Sequence, residues 1–187
     1  RLGSAGREMP GVEVRIHGPD DRPLPPGQMG EIVVRSDLVM KGYWNRPEAT
    51  AETLRNGWLH TGDVGYLDAE GYLFITDRMK DLIISGGSNI YPREVEEVLC
   101  AHPAVAEAAV VGVPDAKWGE AVKAILVLKP DRSASEAEIV EHCRARMASY
   151  KKPQSVDFVE ALPKSALGKV LKRELRDRYW QGLDRRL

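Results

Sequence analysis

Asp77-Arg78-Met79-Lys80-Asp81-Leu82-Ile83-Ile84-Ser85-Gly86-Gly87-Ser88-Asn89 is the stretch that decides how the chain is organised. It opens with a charged crossing, Asp77 to Asp81, continues as an apolar run, Leu82 to Ile84, and reaches two glycines. Strand-like patterns dominate before it, and helix-like and strand-like patterns mix after it. A change of this kind places a boundary near Lys80, with β-rich structure upstream and a compact α+β unit downstream.

Upstream, Val12, Val14 and Ile16 alternate with Glu13 and Arg15, as in a half-buried strand. A turn-rich stretch from Gly18 to Gly30 carries four prolines and leads into a second strand, Glu31 to Arg35. Asn45-Arg46-Pro47 suits a short helix entry, because a first-turn proline sacrifices an N–H that has no partner in any case. Asn56-Gly57 signals a turn, and extended structure resumes from Trp58 to Thr61. Val64–Leu67 and Tyr72–Thr76 flank Asp68-Ala69-Glu70-Gly71 as a hairpin.

Downstream, a helix from Pro92 groups Val95, Val98 and Leu99 on one face and stops at His102-Pro103. Val105 to Val113 and Ala121 to Leu128 read as strands. Ser135 with Glu138 forms a capping box ahead of a helix whose Ile139, Cys143 and Met147 share a face. Val156 and Phe158 mark a last short strand, followed by Leu162-Pro163-Lys164-Ser165-Ala166-Leu167-Gly168-Lys169 and a polar helix-like segment.

Composition narrows the function classes. The 187 residues suffice for one large or two small units, with 43% hydrophobic and 29% charged residues, as in a globular chain. The 27 basic and 28 acidic residues nearly cancel, which argues against a globally basic nucleic-acid binder. The basic tail from Lys164 to Arg186 is interrupted by Glu174, Asp177 and Asp184 and lacks interleaved aromatic platforms, so no nucleic-acid partner is expected. Cys100 and Cys143 suit neither a disulfide framework nor a metal site, and point to a reducing cytoplasm. No apolar run approaches the roughly 18–20 residues that span a bilayer. The opening Arg1-Leu2-Gly3-Ser4-Ala5-Gly6 resembles no signal peptide and reads as the middle of a longer chain. His17, His60, His102 and His142 are dispersed without metal-ligand spacing, so no metal residue is expected.

Four segments carry candidate chemistry, each beside a plainer reading. Thr61-Gly62-Asp63 places a carboxylate at a strand end, where it can grip the hydroxyls of a ribose or simply close a turn. Arg78 is either a cationic fork for ribose or phosphate oxygens or part of an exposed charged turn; Lys80 would be the pivot at the boundary. Gly86, Gly87 and Ser88 lack the spacing of a dinucleotide or Walker A loop, and either line a narrow channel or make a tight connection before the Pro92 helix. Lys169, after the flexible Gly168, either reaches a phosphate or solubilises a helix end.

Together these segments resemble the adenylate-forming superfamily of acyl-CoA synthetases, adenylation domains and luciferases. Gly27 to Ile32, Lys41 to Glu48, Gly57 to Asp63, Asp77 to Glu97, Pro163 to Ser165 and Gly168-Lys169 carry the likeness over essentially the whole chain. It implies an α+β fold: residues 1–79 as the β-rich, distorted-barrel end of a large N-terminal domain, and residues 80–187 as a small mixed α+β C-terminal lid with its hinge near Lys80. It further implies that ATP and a carboxylic acid form an acyl-adenylate, which coenzyme A converts to a thioester with release of AMP. Asp63 and Arg78 would bind the ribose, Lys169 would bridge α-phosphate and carboxylate, and Gly86, Gly87 and Ser88 would line the pantetheine path. Magnesium would be held mainly through the phosphates and through parts upstream of this chain, where the phosphate loop and acyl pocket also belong. The chain is thus expected to be a C-terminal fragment, inactive alone, of a fatty-acyl or aryl-acid CoA ligase. A carrier-protein-loading adenylation enzyme and a non-catalytic binding module that kept the fold stand as alternatives. A homodimer, and a lysine acetyltransferase acting on Lys169, are compatible with the resemblance.

Overall fold

The alternation around Val14 produces β1 (Val12–His17), antiparallel to β2 (Gly30–Ser36) with Val14 opposite Val34. Pro47 begins α1 (Pro47–Thr53), which leads directly into β3 (Leu54–Arg55). Asn56 and Gly57, both at positive φ, turn β3 back onto β4 (Trp58–Leu67) as a two-residue hairpin. At the Asp68–Gly71 turn, Asp68 Oδ1 accepts the N–H groups of Glu70 and Tyr72, and β5 (Leu73–Arg78) returns along β4. The long β4 pairs with β2, β3 and β5 in turn, and the resulting five-stranded sheet has the order β1-β2-β4-β3 with β5 on β4. It is a curled half-barrel sheet whose buried apolar residues include Ile16, Ile32, Val33 and Val64.

The structure is a computed structural model in which residues 3–182 are described; Arg1, Leu2, Asp184 and Arg186 of the sequence reading lie outside them. The chain divides into two compact units, the first ending at Lys80 and the second beginning at Asp81. A single 3-10 turn, Met79–Asp81, crosses that division.

In the second unit, β6 (Ile83–Ser85) and β7 (Ser88–Ile90) form a hairpin around Gly86 and Gly87. The glycines do not connect directly to the helix at Pro92, because their positive φ values (56° and 80°) create a two-residue reversal. α2 (Pro92–Cys100) buries Pro92, Val95 and Leu99. β8 (Val105–Asp115) and β9 (Gly119–Leu128) pair antiparallel along their length, and β10 (Ser155–Phe158) adds to β9 in parallel. Both faces of β8 and β9 are covered, which is why their sequences read as nearly continuous apolar runs. One face packs Val110, Val122, Ala124 and Leu126 with Val95 and Leu99 and with Ile139 and Cys143 of α3 (Glu136–Arg144). The other packs Ala109, Val111 and Ile125 with Leu162 and with Leu175 of α4 (Lys172–Asp177). Each fully buried Leu or Ile side chain contributes about 1.5–3 kcal/mol of hydrophobic stabilisation.

The capping box forms as expected: Glu138 N–H donates to Ser135 Oγ, and the Glu138 carboxylate accepts the Ser135 N–H at 2.8 Å. Phe158, the last residue of β10, is 41% exposed, whereas Val156 of the same strand is buried. Tyr179 after α4 donates to Asp157 Oδ2 at 2.5 Å, while Lys123 Nζ lies 2.7 Å from Asp157 Oδ1, which ties α4 to the sheet. Burial, with the Asp157 contact adding to it, pushes the Tyr179 phenol up to about 12.

Candidate active site

Thr61, Gly62 and Asp63 sit inside β4, not at a strand end. Glu31 pairs with Val64 and Val33 with His60, so these three residues face the single residue Ile32 across a bulge. Gly62 takes φ of +72°, a conformation that other side chains rarely adopt. The bulge is held by side chains: Thr61 Oγ1 donates to Ile32 O at 2.7 Å and accepts the Asp63 N–H at 3.1 Å, and Glu31 Oε1 accepts the Gly62 N–H at 3.1 Å.

The sheet brings Asp63 and Arg78 together. They are direct partners in the β4–β5 register, with Arg78 Nε 3.3 Å from Asp63 Oδ1. The two side chains are 35% and 55% exposed, so the pair is open to a ligand. A carboxylate has about four acceptor directions, and one guanidinium N–H leaves others for hydroxyl groups. Arg78 N–H is in turn fixed by Asp77 Oδ1 at 2.8 Å. Lys80 is exposed within the 3-10 turn.

In the second unit, Lys169 stands at the tip of a short tethered loop. Lys164 and Val170 form an isolated bridge, Leu171 N–H donates to Pro163 O at 2.8 Å, and Lys164 Nζ pairs with Glu107 Oε2 at 2.6 Å. Within it, Gly168 (φ +77°) donates to Ser165 O, and Ser165 Oγ accepts the Lys169 N–H at 3.2 Å. Leu162 is buried below the loop while Lys169 is exposed. The backbone is thus fixed and the ammonium is left able to reach outward.

Gly86 lies on an open groove of about 660 Å3 that Ser88, Trp118, Tyr150 and Lys152 also line. Gly86 N–H donates to Trp118 O at 2.8 Å, and a Cβ on Gly86 would stand 2.6 Å from Trp118 Cε3. Gly87 completes the turn with nothing within 4 Å of the place a Cβ would take. Trp118 and Tyr150 add aromatic faces, and Lys117 Nζ sits 4.6 Å from the Trp118 ring centroid. Neither aromatic has a sequence signal for this place: they come from separate connections that only the fold brings to Gly86. Trp118, in a turn between two strands, and Tyr150 are 45% and 54% exposed, and an aromatic side chain left open to solvent is a local sign of a role.

Among the described residues no group of three or more His, Cys, Asp or Glu is placed to hold a metal ion. Likewise among those residues, no helix is long and apolar enough to cross a membrane. Cys100 and Cys143 are free thiols. Burial raises the Cys143 thiol to about 11, which keeps it protonated and chemically inert.

Comparison with known proteins fits this geometry. The family described as AMP-binding enzyme matches residues 1–44, and the AMP-binding enzyme C-terminal domain matches residues 94–169. Feruloyl-CoA synthase of an Amycolatopsis species is 51% identical over 96% of this chain and 36% of its own length. Long-chain-fatty-acid–CoA ligase FadD13 of Mycobacterium tuberculosis is 49% identical over 96% of this chain and 35% of its own. The structure of o-succinylbenzoate CoA synthetase (MenE) from Bacillus subtilis, in complex with an acyl-adenylate intermediate, superposes with a TM-score of 0.85. It is 47% identical, with 95% of this chain and 36% of that one covered. The chain therefore spans about a third of the length of the relatives it matches. From the half-barrel sheet, the α+β unit and these matches, the chain belongs to the adenylate-forming, AMP-binding enzyme family.

Proposed function

We propose that this chain supplies the ribose grip, the phosphate-contacting lysine and the thiol-side groove of an ATP-dependent carboxylic acid–CoA ligase. In the first step, a carboxylate oxygen of the acid attacks the α-phosphorus of ATP. The bond to pyrophosphate breaks and an acyl-adenylate forms. In the second step, the sulfur of coenzyme A loses its proton and attacks the acyl carbonyl. The bond to AMP breaks and a thioester remains.

Asp63 accepts the two ribose hydroxyls, and Arg78 holds that carboxylate in place and supports the sugar. Lys169 puts its ammonium against the α-phosphate and the attacking carboxylate, where negative charges converge in the first step. Gly86, Gly87 and Ser88 with Trp118 and Tyr150 receive the thin arm of coenzyme A, and Lys152 suits one of its phosphates. Lys80 is the pivot between the two units. The described residues offer no metal-ligand set, so no step is assigned to magnesium through them. Acetylation of Lys169 would remove the charge that the first step needs. The free thiols fit a reducing cytoplasm.

The observation that carries the reading is the cross-strand Asp63–Arg78 pair, set open to solvent on a bulge. The names of the relatives favour coenzyme A as acceptor. The test follows acid-dependent ATP–pyrophosphate exchange and thioester formation. The whole protein should exchange pyrophosphate only with its acid present and form thioester only with coenzyme A. The 187-residue chain alone should do neither. ATP turnover by the whole protein without an acid would contradict the ligase, and exchange by the chain alone would contradict its dependence on the remaining part.

A further inference from the structure

Glu31 lies on the strand beside Asp63 and has no part in the reaction as described. Its side chain is 15% exposed and its two oxygens are divided between two tasks. Oε1 accepts the Gly62 N–H at 3.1 Å. Oε2 lies 2.8 Å from His60 Nδ1, with Arg55 Nη2 at 3.4 Å. Nδ1 is the ring nitrogen placed to donate its N–H to the Glu31 carboxylate. The other imidazole nitrogen, Nε2, is buried without a hydrogen-bond partner and stands 3.5 Å from Asp21 Oδ1. Asp21 is itself fixed by His17 Nδ1 at 2.9 Å and by Asn56 Nδ2 at 2.5 Å, contacts that hold its carboxyl below the usual range. A buried imidazole with one nitrogen unsatisfied is costly, and here its other nitrogen is spent on orienting Glu31.

Glu31 in turn serves the bulge. Without it the Gly62 N–H, whose place in the ladder the bulge has removed, would lose a charge-assisted bond. Gly62 is also the residue that takes the left-handed backbone next to Asp63. Bulges re-aim side chains, and a small displacement of a binding group is felt in the rate.

We propose that Glu31, oriented by His60, is a positioning residue for nucleotide binding: it fixes the Gly62 bulge and thereby sets the Asp63 carboxylate opposite Arg78 for the ribose. This rests on Asp63 being the ribose ligand. Glu31 acts through Asp63, and its effect therefore depends on the ribose hydroxyls.

The test compares ATP with dideoxy-ATP, which lacks both hydroxyls, in acid-dependent pyrophosphate release by the whole protein. Asp63→Ala should abolish the preference for ATP. Glu31→Ala should lower kcat/KM for ATP about tenfold, mainly through KM, and leave dideoxy-ATP unchanged. Glu31→Gln keeps an acceptor for the Gly62 N–H and should recover most of the loss. Equal loss with both nucleotides, or none, while Asp63→Ala still abolishes the preference would overturn the positioning role and spare the ribose reading. An intact preference in Asp63→Ala would sink the ribose reading, and the positioning role with it. Should Glu31→Ala lack a cooperative melting transition, Glu31→Asp, with its acceptor drawn back by one methylene, carries the same split.

Discussion

His142 on α3 points its Nε2 at Val98 O on α2 at 3.0 Å, with His102 edge-on at 4.9 Å between ring centroids. Burial, aided by the Arg146 charge, holds its pKa below the ordinary histidine value although the Val98 contact works against it. The unfolded chain therefore binds the proton more readily than the folded one. The stability that comes from keeping this ring neutral is present above about pH 6.5 and is lost as pH falls through the lowered folded value. Urea unfolding of the chain should accordingly show a midpoint that drops from pH 7.5 to 5.5, and His142→Gln, which can still donate to Val98 O, should flatten that part of the profile. An unchanged slope would assign it to another group. Single residues differ in how far sequence exposes them. Asp63, Arg78 and Lys169 can be picked out as candidates because they sit in segments that, taken in order, resemble a family; the roles given to them are those of the proposal. Glu31 falls within one of those segments, yet its role is invisible there, since only the strand register brings it to Gly62.

The short elements show the same division. The Ser135 capping box, the Asn56-Gly57 turn and the Pro47 helix start are local chemistry, and sequence shows them directly. The bulge at Thr61–Asp63 needs the neighbouring strand to define it, so the stretch reads as a strand end. The Gly86–Gly87 turn is intermediate: two glycines announce a reversal, but Trp118 arrives from a distant connection. That contact makes Gly86 the more demanding of the two glycines. Gly86→Val should cost about 1–2 kcal/mol for the left-handed backbone alone, and the new side chain must displace Trp118 in the groove. Raised KM for coenzyme A with an unaltered first half-reaction is the expected outcome in the whole protein. Unchanged coenzyme A kinetics would remove the groove from the thiol path.

At the scale of the whole molecule, the chain joins two units with different contributions: an Asp63–Arg78 pair on a half-barrel sheet, and Lys169 and the Gly86 groove on an α+β unit. Fold class was legible because the change of pattern near Lys80 coincides with a change of architecture. The relation of the two units was not, since no local pattern encodes it. In the proposed ligase each charge acts at a particular step, and the Lys169 charge is assigned to the first. The most direct measurement takes the whole protein with Lys169→Ala and follows the two half-reactions separately. Acyl-adenylate formation should fall by about 10²–10³-fold, while thioester formation from supplied acyl-adenylate stays near the wild-type rate. Equal loss in both half-reactions, or none in the first, would contradict the assignment.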